Sequence, residues 1–362
     1  MRNDLSLQQT IDLISAVGSK RTVLVQGHMG TGKSSILREL AKRFPNHAPC
    51  YFDCTTKDLG DITLPRIAAA DGNDGAYVSY ATNEELGAHL HRPIILMVDE
   101  LGKSNPAVKL ALLRLMLERA IGSYTLHPDS IIFATTNLGA EGVGDLLLAH
   151  ARNRLTVVSM RKSTPDEWFD WGVDAGIHPT VLGWVHDTPS LFADFRDIQN
   201  PEENPHIFHP ASPRAAFVTG RSLEAASDIL HAVQAGTEQQ CVDEPTLLAA
   251  LAGTIGSAGA ADLMAFVKLS GDLPRIVDII RDPLTARVPK KPAAICLVVS
   301  KALQSMSDEF IDPWMQYMTR LPSEAQAMFA ASARRDKYSK RGIVFTNAAF
   351  GKWCFENNYL FQ

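Results

Sequence analysis

A short run near the start of the chain combines glycines with a lysine and a serine in the spacing G-x-x-x-x-G-K-S. Glycine tolerates backbone angles that a side chain forbids, so successive N–H groups in such a loop can converge on phosphate oxygens. The lysine can reach the β- and γ-phosphates of a nucleotide, and the serine hydroxyl of Ser34 can ligate Mg²⁺. The predicted nucleotide-binding residues of this loop are Gly27, His28, Met29, Gly30, Thr31, Gly32, Lys33, Ser34 and Ser35.

The segments on both sides of the loop suit the same role. Thr22–Val25 is a short, mostly β-branched run that is typical of a buried strand, and Ser34–Leu40 has apolar residues at helical spacing. A helix that begins at the loop directs its positive end at the same anion. A glycine-rich turn without a ligand would need neither flank, so we expect the chain to bind ATP together with Mg²⁺.

Two carboxylates follow a second apolar run, Ile94–Val98. Such a run predicts a central parallel strand, and ligands of open α/β sheets bind at the carboxyl ends of the strands. Asp99 is therefore the second predicted ligand of Mg²⁺, and Glu100 is placed to orient or deprotonate an attacking water. The alternative is an exposed acidic turn after a buried strand.

Later segments add three candidate catalytic side chains. The predicted strand Ser130–Asn137 ends in Asn137, which could hold the attacking water or contact the γ-phosphate. An asparagine alone is weak evidence, because it is common in turns. Arg152 and Arg154 come just before the last predicted strand, Leu155–Met160. Each arginine could equally be a solvated residue at a helix end.

Composition excludes several classes of protein. The 362 residues are 46% hydrophobic and 21% charged, which suits a globular protein of two or three domains. A net charge of -5 gives no overall attraction to nucleic acid or anionic membrane. We find no apolar run approaching the roughly 20 residues that cross a bilayer, so no membrane partner is expected. A polar N-terminus and five cysteines, an odd count, favour a reducing cytoplasmic setting with buried thiols.

The order of patterns predicts an α/β fold with a parallel sheet over residues 1–160. Residues 58–81 read as a loop, and Thr82–Glu85 has the capping box of a helix that would run to about Leu90. Beyond Met160 the chain reads as helical. We predict a helical lid over 161–287 and a helical C-terminal extension over 288–362. Predicted helices include one opened by Ser212-Pro213-Arg214, then Glu244–Ile255 and Ala260–Leu269.

This ordered set of motifs resembles the AAA+ ATPases, and within them the MoxR-like branch. The resemblance covers about residues 20–285 and rests on four segments: Gly27–Ser34, Leu96–Pro106, Ala134–Asn137 and Ala211–Arg214. It implies an αβα phosphate-loop core followed by a helical lid. It also implies a ring-forming ATPase in which each motif residue has a role in ATP hydrolysis.

The roles that the resemblance implies fall on matching positions. Lys33 and Ser34 match the Walker A pair, and Asp99 and Glu100 match Walker B. Asn137 matches sensor 1. The arginines that the resemblance adds are Arg214 as sensor 2 and Arg154 as the finger that reaches a neighbouring subunit's nucleotide, with Arg152 as the second candidate for the finger. Leu155 departs from the family pattern, in which an aromatic residue commonly follows the finger.

The resemblance further implies partners. Family members form hexameric rings of identical subunits and remodel client proteins, often ones with a von Willebrand A-type domain. Residues 58–81 would then face the pore or the client. Two other functions remain open from the sequence: a nucleotide-gated scaffold with slow hydrolysis, and a nucleic-acid motor or loader. The negative net charge disfavours nucleic acid, and Glu100 beside Asp99 favours hydrolysis.

Overall fold

A computed structural model describes residues 4–69, 76–137, 154–236, 242–270, 273–336 and 338–357. The chain divides into two compact units, Met1–Lys162 and Ser163–Gln362. The first unit contains the sheet, and the second is helical over its described length. We call them the α/β unit and the helical unit.

The α/β unit is built on a parallel sheet whose strands are the apolar runs of the sequence. The strands, in chain order, are β1 (Val23–Gly27), β2 (Ala48–Asp53), β3 (Thr63–Ala69), β4 (Ala76–Thr82), β5 (Ile94–Asp99), β6 (Ala120–Ile121), β7 (Tyr124–Thr125), β8 (Ile131–Thr136) and β9 (Thr156–Met160). Five of them form one parallel sheet in the order β2-β5-β8-β1-β9. Strands β5 and β8 are buried along their whole length, as expected for central strands covered on both faces.

Helices cover both faces of this sheet. They are α1 (Leu7–Val17), α2 (Ser35–Arg43) and α3 (Pro106–Glu118). Helices α1 and α2 pack against one face of the central strands, and α3 packs against the other. The predicted αβα phosphate-loop fold followed by a helical region is confirmed.

The segment between β2 and β5 differs from its prediction. Strands β3 and β4 form a separate antiparallel ribbon in which Ile67 pairs with Val78, where the sequence predicts a loop. The helix predicted from Thr82 is wrong, because Thr82 ends β4 and two short 3-10 turns follow. Gly87 separates these turns at φ 69°, and a Cβ there would lie 2.5 Å from the Cys50 sulfur.

The thiols of the α/β unit belong to its core. Cys50 and Cys54 are buried and free. Burial raises the pKa of both, and that of Cys54 to about 12, with further contributions from nearby carboxylates. Both thiols therefore stay protonated at neutral pH and act as small apolar side chains, as predicted.

The helical unit is held together by one apolar core that runs from Trp168 to Trp353. Its helices are α4 (Pro165–Ala175), α5 (Pro179–Asp187), α6 (Gly220–Ala235), α7 (Glu244–Ser270), α8 (Ile276–Arg281), α9 (Pro292–Ser305), α10 (Ile311–Met318), α11 (Ser323–Arg334), α12 (Arg341–Phe345) and α13 (Ala348–Glu356). Helices from both sides of Arg287 contribute to this core. The division into a lid over 161–287 and an extension over 288–362 stays a prediction.

One helix start in this unit is predicted wrongly. Ser212-Pro213-Arg214 lies in an irregular segment, and α6 begins only at Gly220. Thr219 supplies the cap, since its side chain accepts from the Ser222 N–H while the Ser222 hydroxyl accepts from the Thr219 N–H. The serine cap and first-turn proline at 212–213 are local signals that the surrounding contacts override.

Helix α7 contains a segment, Glu244–Lys268, that is long and apolar enough by length and composition alone to cross a membrane. This corrects the sequence reading, which finds no run of that length. The helical backbone breaks at Gly256 (φ 82°, ψ 158°), which yields the two helices predicted on either side. Leu251, Ile255 and Leu263 of this helix are fully buried in the protein core.

His178 makes the stability of the helical unit depend on pH. It is 4% exposed, its Nδ1 accepts from the Thr180 N–H at the start of α5, and burial lowers its pKa to about 4. The unfolded chain, with a pKa of about 6.5, takes up the proton first as the pH falls. We therefore expect a loss of up to about 3 kcal/mol in unfolding free energy between pH 6.5 and pH 4.

Urea unfolding followed by tryptophan fluorescence measures this loss, because all five tryptophans lie in the helical unit. His178→Asn is the matched variant, since an asparagine oxygen can accept the same N–H and cannot titrate in this range. The variant should lose less stability than the wild type on acidification. Equal losses would contradict the assignment to His178.

Candidate active site

The glycine-rich loop joins β1 to α2 in a conformation that needs its glycines. Gly30 and Gly32 have φ of 70° and 91°, which side-chain-bearing residues rarely adopt. At Gly27 a Cβ would lie 3.0 Å from both the Met160 carbonyl oxygen and the Thr31 hydroxyl. Helix α2 begins at Ser35, directly after the loop, with Ser34 as its exposed cap residue. The loop therefore has the conformation that a phosphate cradle requires.

Lys33 is buried within this loop. Its ammonium donates to the carbonyl oxygens of Gly27 at 2.7 Å and His28 at 2.8 Å. It also donates to Oδ1 of Asn137 at 2.7 Å. Because β8 lies beside β1, the end of β8 brings Asn137 next to the loop. The structure thus joins the lysine and the asparagine that the sequence singled out.

Asn137 also contacts the candidate base. Its Nδ2 donates to Oε1 of Glu100 at 2.9 Å, and the Lys103 ammonium lies 3.3 Å from the same oxygen. Oε2 of Glu100 is buried and has no hydrogen-bond partner among the described residues. Lys103 is a contact that the sequence reasoning did not identify, although it lies three residues after Glu100.

Glu100 has an uncommon backbone for a residue with a side chain, at φ 52° and ψ 37°. The left-handed region costs an L-residue about 1–2 kcal/mol. Such strain concentrates at functional sites, where surrounding structure holds it in place. Here the Glu100 N–H is held by Oδ1 of Asp99 at 3.1 Å and by the Thr135 hydroxyl at 3.3 Å.

Asp99 is buried and held by neutral donors from both neighbouring strands. The Thr135 hydroxyl on β8 donates to its Oδ1, and the Tyr51 hydroxyl on β2 donates to its Oδ2 at 2.9 Å. The sequence reasoning missed both donors. Thr135 stands in the polar end of β8 and carried a weak signal, whereas nothing in the pattern around Tyr51 marked it.

These residues fit Mg²⁺ and a triphosphate. Ser34 and Asp99 offer oxygen donors, the type that Mg²⁺ prefers. The described residues contain no group of three or more histidines, cysteines or carboxylates that could hold a metal alone. Mg²⁺ commonly takes one or two protein ligands and completes its shell with phosphate oxygens and water. Mg²⁺ would supply charge neutralisation at the phosphates when bound.

The candidate finger arginines lie away from this cluster or outside the described residues. Arg154 is exposed and precedes β9, in which Thr156 pairs with Val23 and Met160 with Gly27. Arg154 therefore lies at the amino-end edge of the sheet, and the phosphate loop lies at the opposite edge. Arg152 is outside the described residues.

Arg214 belongs to the helical unit, where its side chain is 17% exposed. Its guanidinium donates to the carbonyl oxygens of Pro201 and Ile207, each at 2.7 Å, and of Asn204 at 3.4 Å. These bonds fasten an irregular segment rich in proline. The role of Arg214 toward a nucleotide stays a prediction.

Comparisons with known proteins add little to this geometry. No protein-family model and no curated protein matches the chain. The chain has a phosphate-loop α/β fold. That assignment comes from the sheet, the loop and the site above, because the three similar solved structures described below have TM-scores below 0.5.

Three solved structures show the identity, the TM-score and the coverage of these matches. The RuvB Holliday junction branch migration motor of Thermotoga maritima is 14% identical, with a TM-score of 0.34 over 68% of this chain and 67% of that one. NtrX from Brucella abortus, in complex with ADP, is 12% identical, with a TM-score of 0.38 over 98% and 68%. The closed state of Hsp104 with ATPγS and FITC casein is 17% identical, with a TM-score of 0.30 over 43% of this chain and 31% of that one. The chain thus spans about a third of that Hsp104 chain.

Proposed function

We propose that this chain is an AAA+ ATPase of the MoxR-like type, which binds ATP with Mg²⁺ and hydrolyses it. One observation carries the proposal: Lys33, Asn137 and Glu100 are hydrogen-bonded in series, at 2.7 Å and 2.9 Å. They come from a phosphate loop, a polar strand end and an acidic strand end. Phosphoryl transfer needs positioning and charge neutralisation at one point, which this convergence provides.

Each residue of the site would have a distinct role in hydrolysis. Lys33 would exchange its present oxygen partners, Oδ1 of Asn137 among them, for the β- and γ-phosphate oxygens. Oδ1 of Asn137 would then be free for the attacking water or the γ-phosphate. Glu100 would orient that water or accept its proton. Ser34 and Asp99 would hold Mg²⁺.

The exposed edge position of Arg154 supports a ring. An arginine at the amino-end edge is remote from its own phosphate loop but free to approach the loop of a neighbouring subunit. We therefore assign the finger to Arg154, with Arg152 as the alternative, and propose a homo-oligomeric, hexameric ring. Arg214 would act as sensor 2 by exchanging its carbonyl partners for the γ-phosphate.

The antiparallel ribbon supports a protein client. Residues paired across the ribbon share a face, and one face carries Pro65, Ile67, Val78 and Tyr80. All four are exposed, Ile67 at 84%. Clustered exposed apolar side chains mark contact surfaces. We propose that this face contacts a client that the ring remodels in the cytoplasm, with a protein bearing a von Willebrand A-type domain as the candidate.

The test is phosphate release from Mg²⁺-ATP over a wide dilution series. Since the finger comes from a neighbour, the rate per subunit should rise with protein concentration and level off once the ring is complete. Lys33→Ala should remain inactive throughout and controls for contaminating ATPases. A constant, appreciable rate per subunit over the whole series would contradict a shared site, and no release at any concentration would contradict hydrolysis.

A further inference from the structure

The carboxylate assigned to the cation has an unexpected partner on the sheet's edge strand. Tyr51 pairs with Met97 in the β2–β5 register, so it shares a face with Met97 and Asp99. Its neighbours Cys50 and Phe52 point into the core on the other face. From this position the phenol hydroxyl reaches diagonally to Oδ2 of Asp99, at 2.9 Å.

We infer that Tyr51 is a positioning residue, which fixes the Asp99 carboxylate in the orientation that receives Mg²⁺. The inference rests on the proposed function, because it takes Asp99 as a cation-binding residue. It adds a residue from β2 to a site otherwise drawn from the loop, β5 and β8.

The donors around Asp99 explain why a tyrosine suits this position. Oδ1 accepts from the Thr135 hydroxyl and the Glu100 N–H, and Oδ2 accepts from Tyr51. All three donors are neutral, so they fix the rotation of the carboxylate and leave its negative charge available to a cation. A lysine or arginine in the same place would instead compete with Mg²⁺ for that charge.

Exposure argues against a purely structural role. Tyr51 is 46% exposed, whereas Phe52 beside it is fully buried. A tyrosine retained for packing alone would gain most of its stabilisation from burial of the ring. The Tyr51 hydroxyl donates to Asp99, and Tyr51→Phe removes only that hydroxyl.

The experiment measures nucleotide binding without turnover. A fluorescent, non-hydrolysable ATP analogue is titrated into the full chain at increasing Mg²⁺ concentrations, and once in excess EDTA. In Tyr51→Phe the Mg²⁺ concentration for half-maximal enhancement of binding should rise about three- to tenfold, as for loss of one typical intramolecular hydrogen bond. Affinity in EDTA should not change, because the phosphate loop is untouched.

Two further variants make the result decisive. Tyr124→Phe, the same substitution elsewhere in the α/β unit, should leave both curves unchanged, and Asp99→Asn should abolish the Mg²⁺ enhancement. A second outcome is that Tyr51→Phe needs no more Mg²⁺ than the wild type for half-maximal enhancement, while Asp99→Asn abolishes the enhancement. That outcome overturns the role of Tyr51 and leaves the cation role of Asp99 in place. An unaltered enhancement in Asp99→Asn overturns the cation role of Asp99 as well. A weaker affinity of Tyr51→Phe in EDTA would show a structural defect and also overturn the inference.

Discussion

Glu100→Gln should bind ATP as the wild type does and hydrolyse it about 10²–10⁴-fold more slowly, the contribution of a positioned general base. Glutamine is isosteric and keeps an oxygen that can accept from Asn137, so the site should remain assembled. It loses the negative charge that pairs with Lys103 and the capacity to take a proton from water. Single-turnover phosphate release and equilibrium binding of labelled ATP separate these two effects.

The matched control for this variant is Glu118→Gln. Glu118 is a glutamate of the same unit, 63% exposed, and its one ion pair within the described part of the chain is with Arg114 on the surface. Its replacement should change neither binding nor hydrolysis measurably. Wild-type turnover by Glu100→Gln would instead favour the nucleotide-gated scaffold, in which hydrolysis is incidental.

The same variant tests the ribbon as a client surface. With ATP bound and not hydrolysed, Glu100→Gln should hold a client in a stable complex. Adding Ile67→Asp places a charge on the apolar ribbon face and should weaken recovery of that client without altering ATP binding. Equal recovery with and without Ile67→Asp would remove the ribbon from the proposal.

Arg154→Ala should lower the rate of ATP hydrolysis about 10³–10⁵-fold, the range for arginine fingers supplied in trans. Its own phosphate loop stays intact, so ATP binding should be kept. Each active site combines the phosphate loop of one subunit with the Arg154 of its neighbour. A mixture of Arg154→Ala with Lys33→Ala should therefore regain activity. In mixed rings an Arg154→Ala subunit can bind ATP beside a Lys33→Ala neighbour that still carries Arg154.

Arg152→Ala distinguishes the two candidates. If Arg154 is the finger, Arg152→Ala should stay close to wild type and should show no rescue on mixing. The reverse pattern would move the finger to Arg152. Wild-type hydrolysis by both single variants would contradict a finger from this segment, and an inactive Arg154→Ala mixture would contradict a finger supplied in trans.

Much of the α/β unit follows from local patterns. Apolar runs predict the central strands β5 and β8 of the parallel sheet, because strands buried on both faces must be apolar throughout. The polar residues that end β5 and β8 predict the site, since parallel strands present their carboxyl ends at one edge. Glycine spacing predicts the loop, because Gly30 and Gly32 need positive φ.

Local patterns failed where distant contacts decide the structure. Ser212-Pro213 has the signals of a helix start, but the Arg214 guanidinium donates its hydrogen bonds to carbonyl oxygens of the preceding segment. The sequence predicts a loop at the ribbon because its exposed apolar residues lack the alternation of a half-buried strand. The predicted boundary near Arg287 shows in the sequence as a basic, proline-containing stretch, yet one core includes helices from both sides.

By itself, the sequence determined the candidate residues for the chemistry, because the phosphate loop and the acidic strand end are each a contiguous motif. Only the tertiary structure decided how they meet. The strand order places β8 between β1 and β5, so that Asn137 contacts both Lys33 and Glu100. It also places β2 beside β5, so that the Tyr51 hydroxyl reaches Asp99. Strand order is set by packing between segments far apart in the chain, and no local pattern encodes it.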